Sequence, residues 1–542
     1  MKLVQSINVW TIGSLLAALF VSMPIIAVLS SLFAGGTDNQ AWLATLPVYI
    51  GNTLALMVLV GVISSVIGVS TAWLVTAASF PGRRLLSWLL VLPLATPAYI
   101  VAYFYTDLLA YAGPVQTAIR SAFEVRSGDY WFPAIRSLPG AAIILGVVLY
   151  PYIYLLARHA FSAQSVSQLH AARSLGMSPW AAFFRIVLPG ARPAIAGGLT
   201  LVLMETIADF GVVEYFAIPT FSTGIFRVWF AMGDQISAMK LAGFMLLFVI
   251  VLLALEAYSR RGAVISDDRL SAGPPPFVLS RTHGVFAIAI CLAPVLLGFV
   301  IPFAGLLQLS VAHGDHQDFA TLALYMRNSV SVAVITAMVA VMLALLLVYG
   351  RRQMSARAGG ARMQEASTRI ATLGYALPGT LLAVGLLGPL GALDQSLTRF
   401  SRNVLGLEHG LLLTGSIALL VYALVVRFLT VSYNSVSTGM MKVSGSMDAA
   451  ARSLGAAPSR LLTRIHLPLL GPSLTAAAAL VFIDVMRELP ATLILRPFNF
   501  ETLATRVYRL ASDERLAEAS TAALIIVLLG LAPALFLNRA RT

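Results

Sequence analysis

Hydrophobic runs of about 20 residues recur along the chain, separated by short polar stretches in which Arg, Gly and Pro gather. An α-helix needs ~20 apolar residues to cross the hydrocarbon core of a bilayer, so each run predicts one span. The runs lie near residues 8–33, 53–79, 85–111, 140–157, 194–216 and 236–258, then 285–310, 329–349, 370–392, 409–430, 472–490 and 519–538. Six fall on either side of a polar, Pro-rich stretch at 259–284 that carries Arg260, Arg261, Asp267, Asp268 and Pro274–Pro276. The pattern predicts an all-α polytopic membrane protein: a first half at 1–258, a cytoplasmic linker at 259–284 and a second half at 285–542. The first run is too long for the apolar region of a signal peptide and reads as a retained span.

The polar positions repeat as well. Residues 170–193 return nearly unchanged at 449–472, with Gly176 matched by Gly455, Arg185 by Arg464 and Pro189 by Pro468, each 279 residues on. Locally each copy predicts helix, break, helix: a Gly supplies the break, Pro179 or Pro458 opens a short helix, and Pro189 or Pro468 closes it. Asn52-Thr53 before the second run matches Asn328-Ser329 before the eighth at a spacing of 276, Pro97 matches Pro378 at 281, and residues 221–229 match 500–508 again at 279. Two halves of six spans that both start on one side predict parallel six-helix repeats about an axis along the membrane normal, with a pathway at the centre.

Composition sharpens this picture. Of 542 residues 59% are hydrophobic and only 11% charged, and the mean hydropathy is +0.87; soluble proteins carry about 25% charged residues. A net charge of +13 raises the question of a nucleic-acid partner. With the N-terminus inside, however, most basic residues fall in the inner loops, among them Arg83, Arg84, Arg158, Arg173, Arg351, Arg352 and Arg452, while few acids do. That is the bias that orients membrane proteins, and no nucleic acid is needed to explain it. It places both termini and both repeated loops in the cytoplasm. The lone cysteine, Cys291, excludes an intrachain disulfide and a Cys-based metal site.

The repeated loop resembles the EAA loop of ABC importer permeases: Ala-Ala, three residues, Gly, nine residues, Ile-x-Leu-Pro. Ala171, Ala172, Gly176, Ile186, Leu188 and Pro189 fit it, and so do Ala450, Ala451, Gly455, Ile465, Leu467 and Pro468. The resemblance implies that each loop is a coupling helix seated in a groove of a cytoplasmic ABC ATPase, present in two copies. The pattern's Glu is missing. His170 and Ala449 stand there, with Asp448 one residue upstream of the second, so a contact made by that Glu is weakened or replaced. No Gly-x-x-x-x-Gly-Lys-Ser/Thr loop exists, and none of the three lysines follows a Gly, so ATP is used by the partner and not by this chain. No cofactor is expected in the chain itself, and no nucleophile–base pair stands out that would make it an enzyme.

Ionisable residues at membrane depth are costly and point to function. Glu205 and Asp209 in the fifth run, and Asp484 and Glu488 in the eleventh, are spaced i, i+4, which predicts one helix face per pair. Two readings stand side by side: interhelical hydrogen bonding, with Arg487 pairing a carboxylate, or two carboxylates per half facing a central cation path. Tyr99, Tyr103, Tyr105, Tyr150, Tyr152 and Tyr154 crowd the third and fourth spans and read mostly as packing residues. His313 and His316 read as part of a solvated loop, and no metal ligands are assigned. The stretches 205–216 and 487–504 resemble those of fused ferric-iron ABC importer permeases. That resemblance, which covers nearly the whole chain, implies ferric iron as cargo, an extracytoplasmic iron-binding protein that delivers it, and a multi-pass place in a prokaryotic inner membrane. Thiamine, polyamine and phosphonate importers share the loop motif and remain alternatives, as does an ATPase-independent secondary transporter, which leaves the two matched loops unexplained.

Overall fold

A computed structural model describes residues 9–33, 41–126, 129–163, 174, 176–259, 277–313, 319–354, 361–406 and 411–539. It is built almost wholly of helices. That is the expected response to lipid, where every backbone N–H and C=O must find its partner within the segment. Among the described residues ten helices are long and apolar enough to cross a membrane, and a bent pair, Arg83–Ala95 with Ala98–Phe123, adds an eleventh. The last predicted run corresponds to the helix Leu516–Arg539.

Two predicted spans are not straight. The run at 85–111 turns by 90° at Thr96-Pro97. Thr96 is extended at ψ 120°, and Pro97, at φ −59° and ψ 135°, opens the helix Ala98–Leu109. The run at 370–392 breaks in the same way: Leu377 is extended, and Pro378, at φ −58° and ψ 145°, opens the helix Gly379–Phe400. Proline explains both breaks, because it biases the preceding residue away from the helical region. A short 3₁₀ turn precedes each, at Leu92–Ala95 and at Gly374–Ala376.

The first helix of each half reaches across to the other half while still packing on the last helix of its own. Val9–Ser31 packs on Phe319–Met354, Ala361–Ala371 and Gly379–Phe400, and its Ser14 hydroxyl lies 2.6 Å from Gln364 Nε2. The helix Arg281–Val295 in turn packs on Ala41–Ala77 and Arg83–Leu89. Cys291 there is fully buried among Ala72, Val75, Tyr150 and Tyr154. Just upstream, Phe277–Val278 forms a two-residue parallel pairing with Ala78–Ser79. Residues 260–276 of the predicted linker lie outside the described residues. The apolar cores draw on both halves, so the halves cohere through first helices that bridge them.

Local geometry recurs between the halves, with one correction to the expected register. Asn52 Nδ2 donates to the Pro219 carbonyl at 3.0 Å, and Asn328 Nδ2 to that of Glu501 at 3.0 Å. Thr53 Oγ1 accepts from Phe221 N, and Ser329 Oγ from Leu503 N. Thr220 with Thr223, and Thr502 with Thr505, close the same capping box at a helix start. Asn52 and Thr53 lie 276 residues before their counterparts, but the capping-box residues they hold lie 282 apart and not 279, because the loop before the second capping box is three residues longer. Ala217 and Asn499, both at positive φ, mark the matched turn.

Candidate functional site

The fifth and eleventh predicted spans end earlier than expected, and their ends make the site. The helix Leu188–Ala208 stops at Asp209, which is extended at ψ 133°, and a short helix Gly211–Tyr215 follows. Gly211 is required there, since a Cβ would lie 2.5 Å from that of Tyr99. The helix Leu467–Met486 stops at Arg487, and Pro490–Leu495 follows. Asp209 and Glu488 therefore sit beyond their helices, and the predicted i, i+4 faces do not form. Each carboxylate instead caps the short helix after the break. Asp209 Oδ1 accepts from Val212 N at 3.1 Å and Val213 N at 3.2 Å. Glu488 accepts from Ala491 N and Thr492 N, both at 3.0 Å. Caps of this kind satisfy donors that a helix start leaves orphaned.

All four predicted carboxylates nevertheless line one cavity of about 120 Å³, with Tyr152, Tyr375, Arg427 and Arg487. Their partners differ. Asp484 pairs with Arg487, whose other terminal nitrogen donates to the Leu94 carbonyl at 2.5 Å. Glu488 is buried and pairs with Arg427 at 3.1 Å. Glu205 accepts a single hydrogen bond, from the Tyr375 hydroxyl at 3.2 Å, and forms no ion pair among the described residues. Tyr152 lines the cavity beside Tyr375. Tyr99 and Thr96 also line the cavity, and their buried hydroxyls have no partner among the described residues.

Leu94 and Tyr375 belong to the two 3₁₀ turns that precede the matched prolines. Each turn reaches the broken span of the other half, Leu94 through Arg487 and Tyr375 through Glu205. Arg427, Tyr375 and Leu94 were not identified from sequence. Leu94-Ala-Thr-Pro97 against Tyr375-Ala-Leu-Pro378 is the signal that could have found the last two. Of the crowded tyrosines, Tyr103, Tyr150 and Tyr154 are fully buried packing residues, with Tyr150 and Tyr154 bonded to the Leu90 and Ser87 carbonyls. Among the described residues no group of three or more His, Cys, Asp or Glu is placed to hold a metal ion.

The two repeated loops share a fold at the opposite end of these helices. Gly176 and Gly455 have φ of +77° and +78°, the left-handed region that side chains disfavour, and the space beside each is open. Conformation, not crowding, demands glycine. A short helix follows in each copy, Pro179–Ala182 or Pro458–Leu461. Ile186 and Ile465 then lie in the π-helical turns Phe183–Val187 and Leu462–His466. Leu188-Pro189 and Leu467-Pro468 start the long helices that run to the cavity. Ala450 is exposed and Ala451 buried on the helix Gly445–Ser453; Ala171 and Ala172 lie outside the described residues. Leu454, beside Gly455, is 88% exposed, and Trp180 of the first loop is 68% exposed.

Asp448 does not replace the missing Glu as an outward contact. It is buried, 2.7 Å from Arg352 Nε and 2.9 Å from His466 Nε2. Arg352 also donates to the Met440 and Val443 carbonyls, which ties the second loop to the end of the helix Phe319–Met354. Burial alone would raise the Asp448 carboxyl, but the hydrogen bonds from Arg352 and His466 outweigh it and hold the group below the usual carboxylate range. Val187 stands where His466 stands in the other half, so the described part of the first loop lacks this anchor.

The family model of the binding-protein-dependent transport system inner membrane component matches residues 64–270. The chain is similar to the Fe(3+)-transport system permease protein FbpB 2 of Haemophilus influenzae, 24% identical over 505 residues that cover 90% of this chain and 89% of that protein. It is also similar to the ferric transport system permease protein FbpB of Actinobacillus pleuropneumoniae, at 21% identity, covering 99% and 79%. The molybdenum transport system permease protein ModB of Escherichia coli is 30% identical, but over 28% of this chain and 62% of that protein.

Proposed function

We propose that this chain, an ABC importer permease that resembles the fused ferric-transport permeases, carries ferric iron across the inner membrane by alternating access. Two copies of a cytoplasmic ATPase drive it, and an extracytoplasmic iron-binding protein loads it. Both termini face the cytoplasm, and the chain holds no catalytic residue or cofactor of its own. The observation that carries the reading is the oxygen-lined cavity where the two halves meet, in a chain whose end-to-end relatives are ferric permeases.

The coupling route follows from helix continuity. Each loop leads through its π-helical turn into a helix of 21 or 20 residues that ends at the cavity. At 1.5 Å per residue that is about 30 Å of stiff transmission. Closure of the ATPase subunits pushes the loops at 170–193 and 449–472, through Gly176, Ile186, Leu188, Pro189 and their counterparts. The broken spans then part, and the contacts of Leu94 and Tyr375 are lost.

Arg427 and Arg487 favour an oxyanion as a second reading, and one short-range relative is a molybdenum permease. Both guanidiniums are engaged with Glu488 and Asp484, however, and carboxylates outnumber them in the cavity. Reconstitution in proteoliposomes with the ATPase that co-purifies decides between the two. Ferric iron, presented on the binding protein, is expected to stimulate ATP hydrolysis and to enter the lumen. Stimulation by molybdate or sulfate without response to iron overturns the ferric assignment.

A further inference from the structure

The cavity's four carboxylates are not equivalent. Asp484 and Glu488 each hold an arginine, and Asp209 and Glu488 each cap a helix. Glu205 holds only the Tyr375 hydroxyl, and Tyr152 lines the cavity beside that pair. Beside these oxygens lie the Tyr99 and Thr96 hydroxyls, 5% and 2% exposed by residue and without a partner among the described residues. A buried hydroxyl left unpaired costs ~1–3 kcal/mol, and a ligand in the cavity would recover that cost. We propose that Glu205, Tyr152 and Tyr375 form a transit site for a bare trivalent hard cation, with Tyr99 and Thr96 supplying hydrogen bonds to the water it keeps.

This proposal rests on the ferric reading and adds the form of the cargo. A cavity of about 120 Å³ has room for an ion with several waters, since a site holds one water from roughly 10–15 Å³ on this measure. Carboxylate and phenolate oxygens are the donors a hard cation prefers. As the cation bonds to each phenol oxygen, that phenol releases its proton to water, since a bound cation inverts the usual acidity. Two phenolates and one carboxylate then balance a trivalent charge, and the assembly is neutral among membrane-spanning helices, where charge is costly. Glu205 and Tyr152 belong to the first half and Tyr375 to the second. Parting of the halves therefore removes one donor and loosens the ion.

The purified full chain in detergent, titrated with ferric citrate, tests the site. Visible tyrosinate-to-iron absorption and the release of about two protons per ion are expected. The band is expected to weaken in Tyr375→Phe and to vanish in Tyr152→Phe/Tyr375→Phe, and Glu205→Gln is expected to weaken ferric binding at least tenfold. No band in the unaltered chain, or the same band in the double variant, overturns the site. If the double variant does not fold, resonance-enhanced phenolate vibrations in the unaltered chain decide the matter: their presence supports the site and their absence overturns it. Ferric uptake by the reconstituted unaltered chain is measured in parallel. Uptake without the band sinks the site alone, whereas absence of uptake sinks the ferric reading beneath it.

Discussion

Arg487 donates to the carbonyl oxygen of Leu94, 393 residues away, across the boundary between the two halves. Its counterpart contact, from Tyr375 to Glu205, crosses in the other direction. The same guanidinium is the charge partner of Asp484. Arg487→Leu leaves that carboxylate in a largely buried place with no cation, a change that typically costs roughly 3–5 kcal/mol. Neutralising Asp484 to Asn in the same chain removes the stranded charge. The melting temperature in detergent is expected to fall sharply in the single variant and to recover in large part in Asp484→Asn/Arg487→Leu. Equal melting of single and double variants would show that the pair does not anchor the broken span.

Asp209 and Glu205 are both acids at the cavity, but they do different things. Asp209 accepts backbone hydrogen bonds as a cap, and an amide oxygen can do that too. Asp209→Asn is therefore expected to keep both protein yield and ferric uptake, whereas Asp209→Ala lowers stability by about 1 kcal/mol. Glu205→Gln is expected to keep yield and lose uptake. Uptake normalised to inserted protein separates the roles. Loss of uptake in Asp209→Asn at full yield would return Asp209 to the pathway.

The spans were legible in the sequence because hydropathy along one dimension suffices to place them, and the loops because they occur twice in register. The breaks were not. Apolar residues lie on both sides of Asp209, so the pattern runs on where the helix stops, and a spacing of four implies a shared face that does not form. Nor were the partners legible: Arg427 lies 61 residues from Glu488, Arg352 lies 96 from Asp448 and Tyr375 lies 170 from Glu205. No local period connects such pairs. The matched prolines, Pro97 and Pro378, carried the missing information, since each fixes a turn against the opposite half.

The cluster of Asp448, Arg352 and His466 makes the second loop sensitive to acid. Because the Asp448 carboxyl is held below its unfolded value of about 3.9, its contribution to stability is complete above that value and is lost as pH falls through the lower, folded one. Melting of the unaltered chain is expected to drop on acidification below about pH 4 more steeply than that of Asp448→Asn, which lacks the titrating group. At pH 7 the Asn variant is expected to melt lower than the unaltered chain. Parallel curves over the whole range would remove Asp448 from the anchor.

Gly455 holds φ at +78° with open space beside it, so the two demands usually made of glycine come apart here. A residue that tolerates the left-handed region should serve, and a β-branched one should not. The turn brings Gly455 N to the Arg452 carbonyl and Ala456 N to that of Ala451, both at 3.0 Å, and leaves Leu454 exposed at its tip. Gly455→Asn is expected to retain most transport-coupled ATP hydrolysis. Gly455→Val, strained by about 1–2 kcal/mol or more, is expected to redirect the tip and uncouple hydrolysis from uptake while the chain still inserts. Leu454→Ser leaves the turn intact and removes only the exposed apolar tip, so it is expected to weaken co-purification of the ATPase without changing melting. If Gly455→Val couples as well as Gly455→Asn, the turn is not what the ATPase pushes on, and the force must enter through the first loop.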